Sequence, residues 1–237
     1  MTDRKLPVPD FGEEVSRKRR EVRERASRMQ RELGAERFLE WFDQLYNEAE
    51  GDPARVPWAD MEPHPALVEW LADNGPHRGR ALEVGCGLGD NAKALADAGY
   101  DVTAFDISPR AVDWARRRFA DSGIAFHVCN LLDAPDEWAG AFDFIHETYT
   151  LQSLPVSLRG QCFAPLADFL KPGGRLLAIC RARPDDAAPE GPPWPLSEKE
   201  LEGFARAGLK RLSLQRIILE GGRAIPHFIS LWEKPAG

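Results

Sequence analysis

The stretch that decides the fold is residues 82–90, LEVGCGLGD. An apolar run is followed by three glycines at alternate positions, Gly85, Gly87 and Gly89. A helical pattern, NAKALADAG, comes directly after them and stops at Gly99. A strand, a glycine turn and a helix in this order typically hold a nucleotide-like ligand at the start of the helix. The stretch therefore predicts a ligand site, and the charges around it indicate which ligand.

Acidic residues flank this turn. Asp90 stands where a dinucleotide-binding turn, G-x-G-x-x-G, has its third glycine, and Glu83 lies at the end of the preceding strand. A carboxylate at the helix start would repel a pyrophosphate, whereas it would suit a ligand with an ammonium and a sulfonium. Asp106 ends the next strand, where an acid can accept the hydroxyls of a ribose. The charges therefore disfavour a nicotinamide dinucleotide and the dehydrogenases that use one.

The elements around the turn alternate between strands and helices. The strands RALEVG, DVTAFD, IAFHVCN, FDFIHE and RLLAICRA are separated by helical segments or turns. This alternation indicates a parallel sheet covered by helices on both faces. Two further strands, LKRLSLQRIILE and HFISLWEKP, are joined through residues 220–223 and predict an antiparallel hairpin at the far edge. We therefore predict an α/β fold with a doubly wound, mostly parallel seven-stranded sheet.

We predict two parts of the chain: an N-terminal helical extension that also serves as a lid, at residues 1–75, and the Rossmann-like sheet domain, at residues 76–237. Residues 1–10 are expected to form a loose leader, followed by a charged, solvated helix to about Gly34. An amphipathic helix, ERFLEWFDQLYNEAE, and a proline-rich loop, GDPARVPWADMEPHP, come next. The apolar face of that helix must pack on another part of the protein.

Composition narrows the class of protein. The 237-residue chain has a formal net charge of −7, which argues against a general nucleic-acid binder. Its four cysteines are widely spaced and none of its five histidines lies at i, i+4 from another, so we expect free thiols and no metal. The N-terminus lacks the apolar core of a signal peptide, and no apolar run approaches membrane-spanning length. We expect a cytoplasmic protein, monomeric or homodimeric, that binds neither membranes nor nucleic acid.

Five segments in order resemble the motifs of class I S-adenosylmethionine-dependent methyltransferases: LEVGCGLGD, VTAFDIS, HVCNLLD, FDFIHE and LKPGGRLL. The match covers about residues 80–182, and the terminal hairpin also fits that fold. The resemblance implies a Rossmann-like methyltransferase fold with S-adenosylmethionine as cofactor and S-adenosylhomocysteine as its product. The segments VPWADMEPHPALVEWL and AGYDVTAFDISPRAV are most similar to a small-molecule branch that includes thiopurine methyltransferase and the tellurite-resistance methyltransferases.

The predicted cofactor-binding residues lie at the turn and at the ends of the neighbouring strands. Asp106 is expected to accept the ribose hydroxyls, and Asn130 with Leu131 would suit the edge and face of the adenine. The full predicted set is Glu83, Gly85, Cys86, Gly87, Gly89, Asp90, Asp106, Ile107, Asn130, Leu131 and Glu147.

The methyl acceptor is expected at IHETYTLQSL, beyond the carboxyl end of the fourth strand of the alternating series. Methyl transfer is an in-line displacement, so the acceptor must be held close to the methyl group. A hydroxyl or amine acceptor would use a base, whereas a thiol, selenol or halide needs positioning alone. Glu147 is the first candidate for that base, ahead of His146 and Tyr149, and Glu147→Gln is expected to reduce turnover.

In that small-molecule branch, a Pro-Trp loop and an N-terminal helix lie over the cofactor. By resemblance, the lid here would consist of Trp41, Phe42, Tyr46 and Trp58. Simple packing of the helix onto the sheet explains Phe42 and Tyr46 equally well. Gln152 and Trp194, the latter in the proline-rich loop after the fifth strand, would wall the substrate pocket, although a passive linker explains this loop nearly as well.

Three functions follow from these observations. The leading hypothesis is a methyltransferase that acts on a small molecule at a soft heteroatom, namely thiol-like sulfur, selenium, tellurium or a halide. The alternative is an O- or N-methyltransferase of a metabolite or natural product, and a non-catalytic cofactor-binding sensor comes third. Methyltransferases of nucleic-acid amino groups have Asn/Asp-Pro-Pro-Tyr/Phe where this chain has residues 146–149, HETY, which argues against such substrates.

Overall fold

The structure is a computed structural model that describes residues 4–7, 12–33, 37–220 and 224–236. Within these residues eight strands form one sheet. The strands are β1 (Arg4–Pro7), β2 (Arg80–Val84), β3 (Asp101–Asp106), β4 (Ala125–Val128), β5 (Phe142–Thr148), β6 (Leu170–Arg181), β7 (Lys210–Glu220) and β8 (Ile225–Glu233). Their order across the sheet is β1-β7-β8-β6-β5-β2-β3-β4.

Ten α-helices connect the strands or cover the two faces of the sheet in the described residues. They are α1 (Gly12–Leu33), α2 (Phe38–Ala49), α3 (Pro65–Asn74), α4 (Asp90–Asp97), α5 (Pro109–Arg118), α6 (Thr150–Ser153), α7 (Val156–Arg159), α8 (Phe163–Phe169), α9 (Glu198–Leu201) and α10 (Gly203–Arg206). Ser108 caps α5 by accepting a hydrogen bond from the Ala111 amide at 3.2 Å, and Pro109 fixes the first helical position. None of the helices in the described residues is long and apolar enough to cross a membrane.

The strand directions confirm the predicted α/β fold. Strands β4, β3, β2, β5 and β6 are parallel to one another, and β8 is antiparallel to both β6 and β7. The predicted hairpin strands therefore pair as expected, while residues 221–223 of the predicted turn lie outside the described residues. Strand order reverses between β2 and β5, because β3 and β4 extend the sheet to one side and β6 extends it to the other.

The sheet has eight strands in the described residues, one more than the seven predicted. The additional strand, β1, lies in the segment expected to be a loose leader and pairs in parallel with β7 at the sheet edge. Leu6 packs against the core, and Arg4 forms an ion pair with Glu69 of α3. The correction has a physical cause, since an edge strand leaves backbone groups unpaired and a short segment can satisfy them.

The two faces of the sheet form separate apolar cores. Leu82 and Ile145 pack towards α8, α9 and α10, whereas Ala81 and Phe144 pack towards α3, α4 and α5. The N-terminal extension is docked on this sheet domain: Tyr46 of α2 is buried against residues of the glycine turn and of α5. The domain boundary at residue 75 stays a prediction.

Candidate active site

The candidate site lies at the carboxyl ends of β2 and β5, where strand order reverses. Residues 85–89 turn from β2 into α4, and all three of their glycines have positive φ. A side chain at Gly85 would collide with Thr150, and one at Gly87 would lie 3.2 Å from the Tyr46 hydroxyl. The turn therefore needs glycine because the protein itself packs closely on it, in addition to any ligand.

Asp106 joins this turn to β3. Its Oδ2 accepts a hydrogen bond from the Gly87 amide and its Oδ1 accepts one from the Ser108 amide, both at 2.9 Å. Burial raises the pKa of Asp106, and these amides act in the opposite direction. A carboxylate offers about four acceptor positions, so Asp106 keeps capacity for two ribose hydroxyls.

The structure corrects the argument built on Asp90. Its carboxylate forms a bidentate ion pair with Arg118 of α5, at 2.6 and 2.8 Å. Arg118 also donates to the Leu88 carbonyl at 2.6 Å, and the paired side chains are only 15 and 18% exposed. Because Arg118 neutralises Asp90, the negative potential at the turn depends on Glu83 and Asp106 instead.

Glu83 is part of a buried chain of polar groups. It lies beside His146 in the sheet, and its Oε2 is 2.6 Å from His146 Nδ1. Since an ionised carboxylate only accepts, Nδ1 carries the proton, and Nε2 of a neutral ring then accepts from the Thr148 hydroxyl at 2.8 Å. His146 is fully buried, whereas Thr148 is partly exposed at the end of β5. Thr148 was not among the predicted residues, although its position two residues after His146 puts both on one face.

Glu147 lies on the opposite face from His146, and its placement differs from the expectation for an accessible base. Its side chain is 0% exposed. Oε1 accepts a hydrogen bond from the Leu151 amide at 2.8 Å, and Oε2 has no hydrogen-bond partner. Burial raises the pKa of Glu147 to about 7. The arrangement is that of a core carboxyl group that caps α6, so its predicted catalytic and cofactor contacts have little support in this geometry.

Tyr149 follows β5 in a left-handed conformation, with φ 68°. Its hydroxyl lies 3.0 Å from His64 Nε2 and 2.9 Å from His227 Nε2. The Ala66 amide donates to His64 Nδ1, so His64 Nε2 carries the proton. His227 Nδ1 faces the Ile225 carbonyl at 2.9 Å and must donate to it. The chain of hydrogen bonds therefore runs in one direction, from His64 through Tyr149 to His227.

These three side chains are uncharged near neutral pH. Burial lowers the pKa of His64 well below its usual value and lowers that of His227 to about 4. Burial also raises the pKa of the Tyr149 hydroxyl. The sequence singled out Tyr149 as a site residue but gave no signal for either histidine, because both are far from it along the chain.

Four aromatic residues form a cluster that we call the aromatic lid: Trp41, Phe42, Trp58 and Trp194. The ring centroids of Trp41 and Phe42 are 4.9 Å apart, and those of Phe42 and Trp58 are 5.8 Å apart. Trp58 Nε1 also donates to the Tyr46 hydroxyl at 2.8 Å, which joins the lid to the residue covering the glycine turn. Leu154, just after α6, packs against the same cluster.

Hydrogen bonds hold the proline-rich loop in place beside the lid. The Trp194 amide donates to the Gln152 carbonyl at 2.7 Å, and the Gln152 side chain accepts from the Arg181 amide at 2.6 Å. Gln152 is itself 2% exposed. Gln152 therefore anchors the loop and the end of β6 in this geometry.

The remaining predicted cofactor residues are of two kinds. Ile107 and Asn130 are partly exposed, and the Asn130 side chain accepts from the Leu132 amide at 3.1 Å. Cys86 and Leu131 are buried, and Leu131 belongs to the sheet core rather than to the ligand edge. The more exposed neighbour, Leu132, is the side chain that can lie along a ring there.

The residues at the turn fit S-adenosylmethionine. Asp106 has acceptor capacity for a ribose, and the buried carboxylate of Glu83 suits the cationic amino acid part of the cofactor. The described residues contain no group of three or more His, Cys, Asp or Glu side chains arranged to hold a metal ion.

Residues 81–174 match the family described as a methyltransferase domain. The chain is similar to the 2-heptyl-1-hydroxyquinolin-4(1H)-one methyltransferase of Mycobacteroides abscessus, with 29% identity over 153 residues, 62% of this chain and 66% of the relative. It is also 29% identical over 149 residues to the probable thiol methyltransferase 2 of Arabidopsis thaliana, covering 62% of this chain and 65% of that one. The chain thus spans just under two thirds of the length of these curated relatives.

The N-methyltransferase NodS of Bradyrhizobium japonicum has a similar fold, with a TM-score of 0.67 and 22% identity over 82% of this chain and 98% of NodS. Likeness at this level of identity concerns the fold. With the family match over the glycine turn and strands β2 to β6, it confirms the resemblance found in the sequence. Residues 81–174 thus match a methyltransferase domain, and the fold around them is shared with S-adenosylmethionine-dependent methyltransferases.

Proposed function

We propose that the chain transfers a methyl group from S-adenosylmethionine to a small molecule, at a soft heteroatom that is already an anion when it reacts. Such acceptors are thiolates, selenolates, reduced tellurium compounds and halides. The observation that carries this proposal is that the only carboxylate in the sequence from His146 to Ser153 is buried and already hydrogen-bonded. That carboxylate, Glu147, is fully buried and held by the Leu151 amide, so it is not available to deprotonate an acceptor.

The chain's own residues bind and enclose the reactants in this proposal. When bound, S-adenosylmethionine supplies an electrophilic methyl group. Asp106 fixes the glycine turn and accepts from the ribose. The aromatic lid shields the apolar body of the acceptor from water and orients it along the line of attack. The similarity to a thiol methyltransferase supports the choice of a sulfur acceptor.

An O- or N-methyltransferase is the second candidate, and the Glu83–His146–Thr148 chain favours it. The partly exposed Thr148 hydroxyl could take the proton of an acceptor hydroxyl while passing its own proton to His146 Nε2. Glu83 would then stabilise the imidazolium that forms. The relative whose name gives a hydroxyquinolinone as its substrate is consistent with an oxygen acceptor.

Acceptors that differ in one atom separate these candidates. Thiophenol, phenol and aniline share a ring, and S-adenosylhomocysteine release measures methyl transfer to each of them. We expect thiophenol to react at least roughly tenfold faster than phenol, because its thiolate is populated near neutral pH. A faster reaction of phenol would favour the second candidate.

Thr148→Val is the matched control, since it keeps the shape of the side chain and removes the hydroxyl. We expect thiophenol turnover to persist in this variant. If phenol reacts through the proton relay to His146, its turnover should fall, because the relay has lost the Thr148 hydroxyl. Binding of S-adenosylhomocysteine without turnover of any acceptor, including selenite and iodide, would favour the sensor hypothesis over both.

A further inference from the structure

We propose that Arg181 is an anion-binding subsite beside Tyr149, and that the methyl acceptor places a negatively charged group there. This inference rests on the proposed function, because it states the charge of the same acceptor. The acceptor would then combine an apolar body, enclosed by the aromatic lid, with an anionic group such as a carboxylate or a thiolate.

The position of Arg181 follows from the sheet register. Arg181 is the last residue of β6 and is the direct partner of His227 on the antiparallel strand β8. Directly opposed residues in an antiparallel pair share a face and lie close together. His227 in turn contacts the Tyr149 hydroxyl at 2.9 Å, at the carboxyl end of β5. Arg181 therefore lies at the edge of the sheet where the acceptor is expected.

The side chain of Arg181 is partly buried and lacks a carboxylate partner among the residues that the structure describes. Within the described part of the chain it forms no ion pair, and its buried Nε lacks any hydrogen-bond partner. Arg159, on the other face of the sheet, is a buried arginine whose guanidinium does have protein acceptors. Arg159 donates to the Leu151 and Trp194 carbonyls and to Glu200, at 2.6 to 3.0 Å. Because burying the Nε of a charged guanidinium without a hydrogen-bond partner is costly, the environment of Arg181 is suited to an anion brought by a ligand.

Among the described groups around Arg181 there is one acid, Asp60, and it forms no ion pair with Arg181. His64, His227 and Tyr149 are neutral and saturate one another with hydrogen bonds. Asp60, in the loop before α3, is the acid that faces Tyr149 and Arg181, and it has contacts of its own. Arg23 of α1 adds a second positive charge near Tyr149. Arg181 and Arg23 therefore bring positive charge to the surroundings of Tyr149, where Asp60 is the acid named beside them.

The two sides of the site therefore carry opposite charges. Glu83 and Asp106 make the turn acidic, which suits a cationic methyl donor. Arg181 makes the acceptor side basic, which suits an anion. Since opposite charges attract most strongly where water is excluded, this separation would orient the two reactants towards each other under the aromatic lid.

Calorimetry of the full chain with benzoate and with benzamide tests the subsite. The two probes have nearly the same shape and differ in charge, and saturating S-adenosylhomocysteine keeps the cofactor side filled. We expect benzoate to bind roughly tenfold or more tightly than benzamide, and Arg181→Met to abolish this preference. Equal binding of the two probes to the natural chain, or an unchanged preference in R181M, would overturn the proposal.

Arg175→Met is the matched control. Arg175 lies on the same strand, pairs with Glu233 at 3.3 Å near the far end of the sheet, and should leave the benzoate preference intact. If R181M does not fold, Arg181→Gln provides the same test. The binding readout needs no turnover, so the two proposals fail separately: turnover without a benzoate preference rejects the subsite, and a benzoate preference without turnover of any acceptor rejects the proposed function.

Discussion

Asp106 has two partners within the protein and is expected to have two more in the ligand. Its side chain accepts hydrogen bonds from the Gly87 and Ser108 amides, and we expect those contacts to orient its oxygens for a ribose. We predict that Asp106→Ala weakens S-adenosylhomocysteine binding at least roughly 10- to 100-fold, since each hydrogen bond to a charged group contributes about 1.5–3 kcal/mol. Calorimetry measures the affinity, and Asp101→Ala, at the exposed start of the same strand, is the control. Unchanged affinity in D106A would refute the role of Asp106.

The burial of Glu147 predicts how the free energy of unfolding depends on pH. Its folded-state pKa of about 7 lies above the ordinary value of 4.5, so between those values the folded chain binds more protons than the unfolded chain. The free energy of unfolding therefore falls as pH rises through this window and levels off above pH 7. Glu147→Gln removes this dependence. From pH 5 to pH 8 the variant should gain roughly 2–3 kcal/mol of stability relative to the natural chain.

Urea unfolding at several pH values measures this difference, and Glu62→Gln, at an exposed position, controls for the substitution itself. A stability difference that does not change with pH would contradict the burial of an ionisable group at this site. The same geometry revises the expectation for turnover. Because the Glu147 carboxyl faces the core, we now expect E147Q to keep most of its methyl transfer.

Single residues also show what local sequence can and cannot predict. Asp106 was identified because its position after a strand determines its place at the sheet edge. The sequence placed Asp90 correctly at the start of α4. It did not show that Arg118 neutralises the Asp90 carboxylate, because the two residues are 28 positions apart and only the tertiary fold brings them together. Leu131 was assigned to a ring face by its position, although the adjacent Leu132 is the exposed side chain.

At the scale of elements, the His64–Tyr149–His227 chain joins the start of α3 to the ends of β5 and β8. Tyr149→Phe would leave the His64 N–H and the His227 Nε2 without partners in a buried place. We predict a loss of roughly 2 kcal/mol or more in the free energy of unfolding, since each orphaned buried group costs about 1–3 kcal/mol. Urea denaturation measures the loss.

Tyr100→Phe is the matched control for Y149F, because among the described residues the Tyr100 hydroxyl has one hydrogen-bond partner, His77, at 3.1 Å. Its removal should cost about 1 kcal/mol or less. Equal losses in the two variants would mean that the chain through Tyr149 contributes nothing beyond one ordinary hydrogen bond.

Elements differ in how well the sequence predicts them. The five alternating strands and the capped start of α5 were found because period and capping are local signals. Strand β1 was missed, since four residues next to prolines show no period and pair only because β7 offers a free edge. The hydrogen-bonded chain was missed for a similar reason: its members are 85 and 78 positions apart.

At the scale of the whole molecule, the N-terminal extension and the sheet domain meet over the ligand edge. Family resemblance, rather than any local pattern, predicted a lid of Trp41, Phe42, Tyr46 and Trp58; the cluster defined here as the aromatic lid has Trp194 in place of Tyr46. The structure brings three of its members together from α2 and the loop after it, and the fourth from the loop after β6. Because Trp58 is hydrogen-bonded to Tyr46, and Tyr46 covers the glycine turn, we expect these segments to move together when a ligand leaves.

Asp43 joins α2 to α5, and we expect it to restrain that movement. It accepts a hydrogen bond from the Ser108 hydroxyl at 2.7 Å and forms an ion pair with Arg110 of α5. We predict that Asp43→Asn speeds release of S-adenosylhomocysteine about two- to tenfold, because a partly exposed pair contributes about 0.2–1 kcal/mol and the Ser108 bond is weakened as well. Stopped-flow dissociation measures the rate, and Glu40→Gln, which breaks the pair with Arg37 at the start of α2, is the control. Added salt should speed release from the natural chain more than from D43N, since salt screens the pair that D43N lacks. Equal release rates would mean that α2 does not gate the site.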